Sequence, residues 1–104
     1  MTKSSIEEVT AVLRANAKPI RLILFGSHAR GDAGPDSDLD ILVVQRNVTD
    51  RFAEMVRLRR LLSSLRVPVD IIVLSEESFR EQATVAGNYV REAVREGRVL
   101  YESA

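Results

Sequence analysis

The hydrophobic positions of this chain change their spacing along its length, and these changes mark successive helices and strands. A first helix is predicted by apolar residues three or four positions apart, namely Ile6, Val9, Leu13 and Ala17. Pro19 ends this helix. Short apolar runs predict strands at 20–25, 38–45 and 69–74. Helical spacing returns between Asp50 and Arg66 and again after Ser75, and residues 98–101 suggest a final edge strand.

This order of elements predicts an α/β (α+β) fold, in which a small mixed β-sheet of three to four strands packs against helices. The loop between the first two strands is too short for a crossover helix, so we expect these strands to be antiparallel. One apolar stripe of the long helix should face the sheet: Phe52, Met55, Leu58, Leu62 and Leu65. The arginines of the same helix predict a solvated face, or a docking face for an acidic partner or RNA: Arg51, Arg57, Arg59, Arg60 and Arg66.

Composition narrows the classes of function. At 104 residues the chain, 1–104, is expected to form a single domain. Its 15 lysines and arginines equal its 15 aspartates and glutamates, which argues against non-specific binding of nucleic acid. The lack of cysteine excludes thiolate metal sites and is compatible with the cytoplasm, where we expect the protein to act. The first ten residues lack the apolar core of a signal peptide, and no apolar run is long enough to span a membrane.

Three aspartates stand where a packed sheet has no need of them. Aspartate is depleted in strand interiors, yet Asp38 and Asp40 open the second strand, about 7 Å apart on one face. Asp70 occupies the corresponding point of the third strand, so the three carboxylates meet if the two strands are neighbours. Repulsion between them would raise their pKa values, and a divalent cation would offset it. Mg²⁺ prefers such oxygen ligands, and a pair of ions about 4 Å apart can activate an attacking oxygen.

The turn after the first strand has the chemistry of a phosphate site. Gly26 lets the backbone approach a ligand closely, and Ser27 can cap a short helical turn whose N–H groups bind phosphate oxygens. Arg30 adds positive charge for a triphosphate, and His28 is a candidate for a supporting role. The turn lacks the glycine spacing and lysine of a P-loop, so that interpretation fails.

These residues resemble the nucleotidyltransferase superfamily that includes DNA polymerase β, in its minimal form. The family motif is Gly-Ser, ten residues, then Asp-x-Asp, and Gly26-Ser27 and Asp38-Leu39-Asp40 match it in identity and spacing. Val69-Asp70-Ile71 fits the third acid of the family, and Ala29-Arg30-Gly31 and Ser37 are similar to the residues that usually accompany the motif. The resemblance implies a nucleotidyltransferase fold over nearly the whole chain.

The resemblance also implies roles for single residues. Asp38 and Asp40 would hold two Mg²⁺ ions, and Asp70 would bind one of them and help to deprotonate an acceptor hydroxyl. Gly26 and Ser27 would hold the β- and γ-phosphates of ATP or another nucleoside triphosphate, with Arg30 and Ser37 beside them. The acceptor oxygen would attack the α-phosphorus in line, and pyrophosphate would leave.

Stand-alone relatives of this size resemble the antitoxin half of toxin–antitoxin pairs, which implies an all-helical HEPN-type ribonuclease as partner and a tyrosine on it as acceptor of AMP. The partner, or self-association into a homo-oligomer, is then expected to complete the acceptor site. The alternative is a module without catalysis, which binds nucleotide or neutralises a partner by contact. A polymerase or RNA-modifying fragment is disfavoured by the net charge of zero.

Overall fold

Helices and strands alternate through residues 3–34 and 37–103, the part of the chain that the structure, a computed structural model, describes. The helices in chain order are α1 (Lys3–Ala17), α2 (Ser27–Arg30), α3 (Arg51–Leu62), α4 (Glu76–Ala83) and α5 (Tyr89–Glu96). The strands are β1 (Arg21–Phe25), β2 (Leu39–Gln45), β3 (Val69–Ser75) and β4 (Arg98–Glu102). A single 3₁₀ turn, Ser63–Leu65, extends α3. Within these ranges no helix is both long and apolar enough to cross a bilayer.

The strands form one mixed sheet in the order β3-β2-β1-β4. β1 is antiparallel to both β2 and β4, whereas β2 and β3 are parallel. The predicted fold class, the antiparallel first pair and the final edge strand are therefore confirmed. The crossover between the parallel strands runs through α3, as a parallel connection requires.

β2 is the central element of the core because helices cover both of its faces. Leu39, Ile41 and Val43 pack in one apolar layer with residues of α1 and α3. Leu42 and Val44 belong to a second layer, which includes Phe79 of α4 and two residues of α5. This alternation matches the two faces that the sequence predicts. Within β2 only Asp40 is partly exposed, and the other six residues are buried.

α3 begins where the sequence predicts, but one of its apolar residues points away from the sheet. Asp50 caps the helix by accepting a hydrogen bond from the Ala53 amide at 3.0 Å. Leu58 is completely buried, whereas Phe52 is 76% exposed, so the prediction of a buried Phe52 is wrong. At 100° per residue Phe52 lies about 120° around the helix from Leu58. Arg51 takes the sheet-facing position of the first turn and donates to the Val73 carbonyl at 2.7 Å.

Two substitutions on α3 test this arrangement. Leu58→Ala removes a fully buried side chain and should lower the free energy of unfolding by about 2–5 kcal/mol. Phe52→Ala removes a larger side chain from solvent and should change it by no more than about 0.5 kcal/mol. Urea denaturation followed by circular dichroism measures both values. Equal losses for the two variants would contradict this placement of α3.

Candidate active site

The parallel pairing of β2 with β3 brings the predicted acids to one end of the sheet. Asp40 lies directly opposite Asp70 in the register, and neighbouring strands run about 4.8 Å apart. Asp38 comes just before the first residue of β2. Asp40 and Asp70 are half-buried and Asp38 is exposed. The strands that carry these residues are therefore neighbours, which was the condition for their carboxylates to meet.

Gly26 lies against the Asp40 side chain on the other side. It follows Phe25, which pairs with Asp40 across the antiparallel strands β1 and β2. Its backbone angles, φ 74° and ψ −157°, belong to a region that only glycine occupies readily. A Cβ atom added to Gly26 would lie 2.2 Å from Oδ2 of Asp40. The glycine is thus required both by the turn and by the carboxylate packed against it.

The predicted cap of α2 is wrong by one residue. Gly26 occupies the N-cap position, and Ser27 is the first residue of the helix and makes no capping hydrogen bond with its side chain. The reason is the backbone of Gly26, whose non-helical angles place it just outside the helix and leave Ser27 as the first helical residue. The Ser27 carbonyl accepts the amides of Gly31 and Asp32 and closes the short helix.

Hydrogen bonds hold the end of the loop between α2 and β2 at Ser37. His28 donates through Nε2 to the Ser37 carbonyl at 3.0 Å. The Gly34 amide donates to the Ser37 hydroxyl at 2.9 Å. Because Ser37 immediately precedes Asp38, these bonds fix where the chain enters the acidic end of the sheet. Pro35 and Asp36 of this loop lie outside the described residues.

The environment of Asp40 disfavours its negative charge. Burial raises the pKa of the Asp40 carboxyl, and the negative charges of Asp70 and then Asp38 raise it further. Positive charge on His28 and Arg30 acts in the opposite direction. Arg30 is exposed and pairs with Asp32 at 3.3 Å. A cation would stabilise this carboxylate, because burial and the neighbouring acids disfavour its negative charge. The carboxylate oxygens of the three acids therefore fit a divalent ion.

The acids share an end of the sheet without forming a closed cage. Among residues 3–34 and 37–103 no three histidine, aspartate or glutamate side chains are already grouped for a metal ion. Asp70 instead makes an ion pair with Arg59 of α3, with 2.9 Å between Nη2 and Oδ1. Sequence reasoning missed this contact, since it placed Arg59 on a solvated or docking face. Only the packing of α3 on β3 reveals it.

A large open concavity of about 670 Å³ lies at the opposite end of β2 and does not belong to this cluster. Several of its polar groups form hydrogen bonds with one another. The buried Gln45 amide donates to the Ala17 carbonyl at 2.8 Å, and Arg57 donates to the Asn16 carbonyl at 2.9 Å. The hydrogen bond from Arg57 lowers the pKa of the Glu54 carboxyl. These contacts cap the end of α1 and have a structural role.

The chain is similar to proteins of a known family. The sequence profile of a family described as "Nucleotidyltransferase domain" matches residues 6–101. A protein of Methanocaldococcus jannaschii named as a protein adenylyltransferase is 40% identical over 81 residues, which are 78% of this chain and 77% of that protein. The protein adenylyltransferase MntA of Thermococcus cleftensis is 33% identical over 84 residues, which are 72% of this chain and 83% of that protein.

A similar solved structure is the crystal structure of a toxin–antitoxin with AMP-PNP. It aligns with a TM-score of 0.68 and 26% sequence identity. The alignment covers 99% of this chain and 75% of that one. The sheet order and the helices described above therefore belong to a known fold.

The contact between Gly26 and Asp40 can be tested by a double-mutant cycle. Gly26→Ala should lower the free energy of unfolding by at least about 1–3 kcal/mol through its backbone angles, and further through the contact with Asp40. Gly31→Ala is the matched control, because Gly31 also has a positive φ of 84° but has no atom within 4 Å of an added Cβ. When Asp40 is also replaced by alanine, Gly26→Ala should lower the free energy of unfolding by less than it does in the wild type. Gly31→Ala should lower it by the same amount in both backgrounds. Strict additivity in both pairs, measured by urea denaturation, would contradict the contact.

Proposed function

Because this chain belongs to the nucleotidyltransferase domain family, we propose that it transfers AMP from ATP to a hydroxyl group on a partner protein. The observation that carries the proposal is the register that pairs Asp40 with Asp70 while Gly26 packs against Asp40. Two relatives more than 30% identical are named as protein adenylyltransferases. A structural relative at 26% identity was crystallised with AMP-PNP, an analogue of ATP.

Asp38, Asp40 and Asp70 are the proposed catalytic residues and the proposed ligands of two Mg²⁺ ions. The carboxylate donors and the raised pKa of Asp40 support this assignment. When bound, Mg²⁺ would neutralise the triphosphate and lower the pKa of the attacking hydroxyl. Gly26 and Ser27 would face the β- and γ-phosphates. Arg30, whose guanidinium is exposed beside the acids, would add charge, and Ser37 would line the same loop.

The proposed reaction is an in-line substitution at the α-phosphorus of ATP. The hydroxyl oxygen of the acceptor forms a new P–O bond, and the bond from the α-phosphorus to the bridging oxygen breaks, so that pyrophosphate leaves. Asp70 is the group proposed to accept the hydroxyl proton, because it lies in register with Asp40 and is half-exposed to an incoming acceptor. Catalysis then depends on positioning the reactants and on pre-arranged charge.

The proposed acceptor is a tyrosine of a HEPN-type toxin, so that the chain acts as the antitoxin of a toxin–antitoxin pair in the cytoplasm. The family resemblance of the Gly-Ser and Asp-x-Asp residues implies this partner. The crystal structure at 26% identity is itself a toxin–antitoxin, and MntA of T. cleftensis is named as a protein adenylyltransferase. Together they favour a protein acceptor over a small molecule.

Transfer of label from ATP to the partner tests the proposal. Purified chain, Mg²⁺ and the product of the neighbouring gene are incubated with ATP labelled at the α-phosphorus, and in parallel with ATP labelled at the γ-phosphorus. We expect label on the partner from the first nucleotide only, since AMP is retained and pyrophosphate leaves. Asp40→Asn should reduce the rate by about a hundredfold or more.

Glu81→Gln is the matched control, because Glu81 is an exposed acid on α4 outside the proposed site, and it should transfer label as the wild type does. Equal neutralisation of the partner by wild type and Asp40→Asn, without transferred label, would instead establish the non-catalytic binding module. Label from the γ-phosphorus would indicate a kinase and overturn the proposal.

A further inference from the structure

Arg59 contacts the acidic cluster from a different element of the fold. Its Nη2 donates to Oδ1 of Asp70 at 2.9 Å. α3 is held along β3 by the buried Leu58 and by the hydrogen bond from Arg51 to the Val73 carbonyl. Arg51 thus lies towards the end of β3, and Arg59, two turns further on, lies beside its start. The packing of the helix, and not a local turn, brings this guanidinium to Asp70.

The contact is weak enough to be exchanged. A single nitrogen meets a single carboxylate oxygen, and the two side chains are 52% and 49% exposed. Solvated ion pairs of this kind contribute little to stability, because water competes for both partners. A bidentate, buried pair would fix the carboxylate permanently. Here the second oxygen of Asp70 has no partner among the described residues.

The other arginines of α3 have different contacts. Arg51 donates to the Val73 carbonyl, and Arg57 donates to Glu54 and to the Asn16 carbonyl. Arg60, next to Arg59, is exposed, and its guanidinium has no hydrogen-bond or ion-pair partner within 3–34 and 37–103. Arg59 is therefore the arginine of α3 that meets a proposed metal ligand, and Arg60 offers a control with the same charge.

We infer that Arg59 is an internal counter-ion of the proposed metal site, which pairs with Asp70 until a divalent cation displaces it. The inference rests on the proposed function, since it assumes that Asp70 binds the cation. Asp70 and Asp40 face each other in the register, so their charges repel when no cation is present. Arg59 offsets part of this repulsion and competes for the same carboxylate. It acts through Asp70 and is thus a positioning residue that sets the affinity of the site for the cation.

Binding of Mn²⁺ without nucleotide, measured from the electron paramagnetic resonance signal of the free ion, tests this inference independently of activity. Arg59→Ala removes the competitor and should bind Mn²⁺ about two- to fivefold more tightly than wild type. Arg59→Lys keeps the charge, and its affinity for Mn²⁺ should lie between those of the wild type and Arg59→Ala. Arg60→Ala should bind as wild type does, because its charge is not directed at the carboxylate. Thermal melts confirm that each variant is folded.

Variants of the acids separate failure of this inference from failure of the proposed function. Asp70→Asn should remove the effect of Arg59 on the affinity for Mn²⁺. The single variant Asp70→Asn and the double variant with Arg59→Ala should therefore bind Mn²⁺ equally. If Asp40→Asn and Asp70→Asn weaken binding but Arg59→Ala does not strengthen it, the role of Arg59 is overturned and the metal site stands. If the acid variants bind Mn²⁺ as wild type does, the proposed metal site itself is overturned.

Discussion

The parallel register of β2 and β3 is the constraint on which the arrangement of this molecule depends. Leu39 and Ile41 must face the layer formed with α1 and α3, and Leu42 must face the opposite layer. A slip of one residue would invert every side chain of β2 and bury Asp40 in the core. The same apolar alternation that builds the core therefore also sets Asp40 opposite Asp70.

The register of β2 and β3 places the negative charges of Asp40 and Asp70 side by side, and positively charged side chains lie near them. Asp40 lies between Gly26, which follows β1, and Asp70 of β3, and burial together with its acidic neighbours raises the pKa of its carboxyl. Arg30 of α2 acts on the charge of Asp40, and Arg59 of α3 pairs with Asp70. Both guanidiniums are about half exposed, so they can exchange their partners for the phosphates or cations of a substrate.

Local patterns predicted most of the fold, because they depend on spacing that the sequence displays. The strands, the antiparallel first pair and the start of α3 at Asp50 follow from alternation and capping. The candidate acids were likewise identified from their unusual place in strands. Three features were not predicted. The N-cap at Gly26 instead of Ser27 depends on the backbone angles of the glycine. The exposure of Phe52 and the pair between Arg59 and Asp70 depend on how α3 packs on the sheet.

In the proposed site, the acids at the start of β2 and β3 bind the metal and face a triphosphate held at Gly26. Anomalous X-ray scattering from Mn²⁺, in crystals grown with a non-hydrolysable ATP analogue, tests it most directly. We expect anomalous peaks bonded to oxygens of Asp38, Asp40 and Asp70, with the phosphates against the turn at Gly26. Mn²⁺ bound away from these acids, or a triphosphate bound elsewhere on the chain, would contradict it.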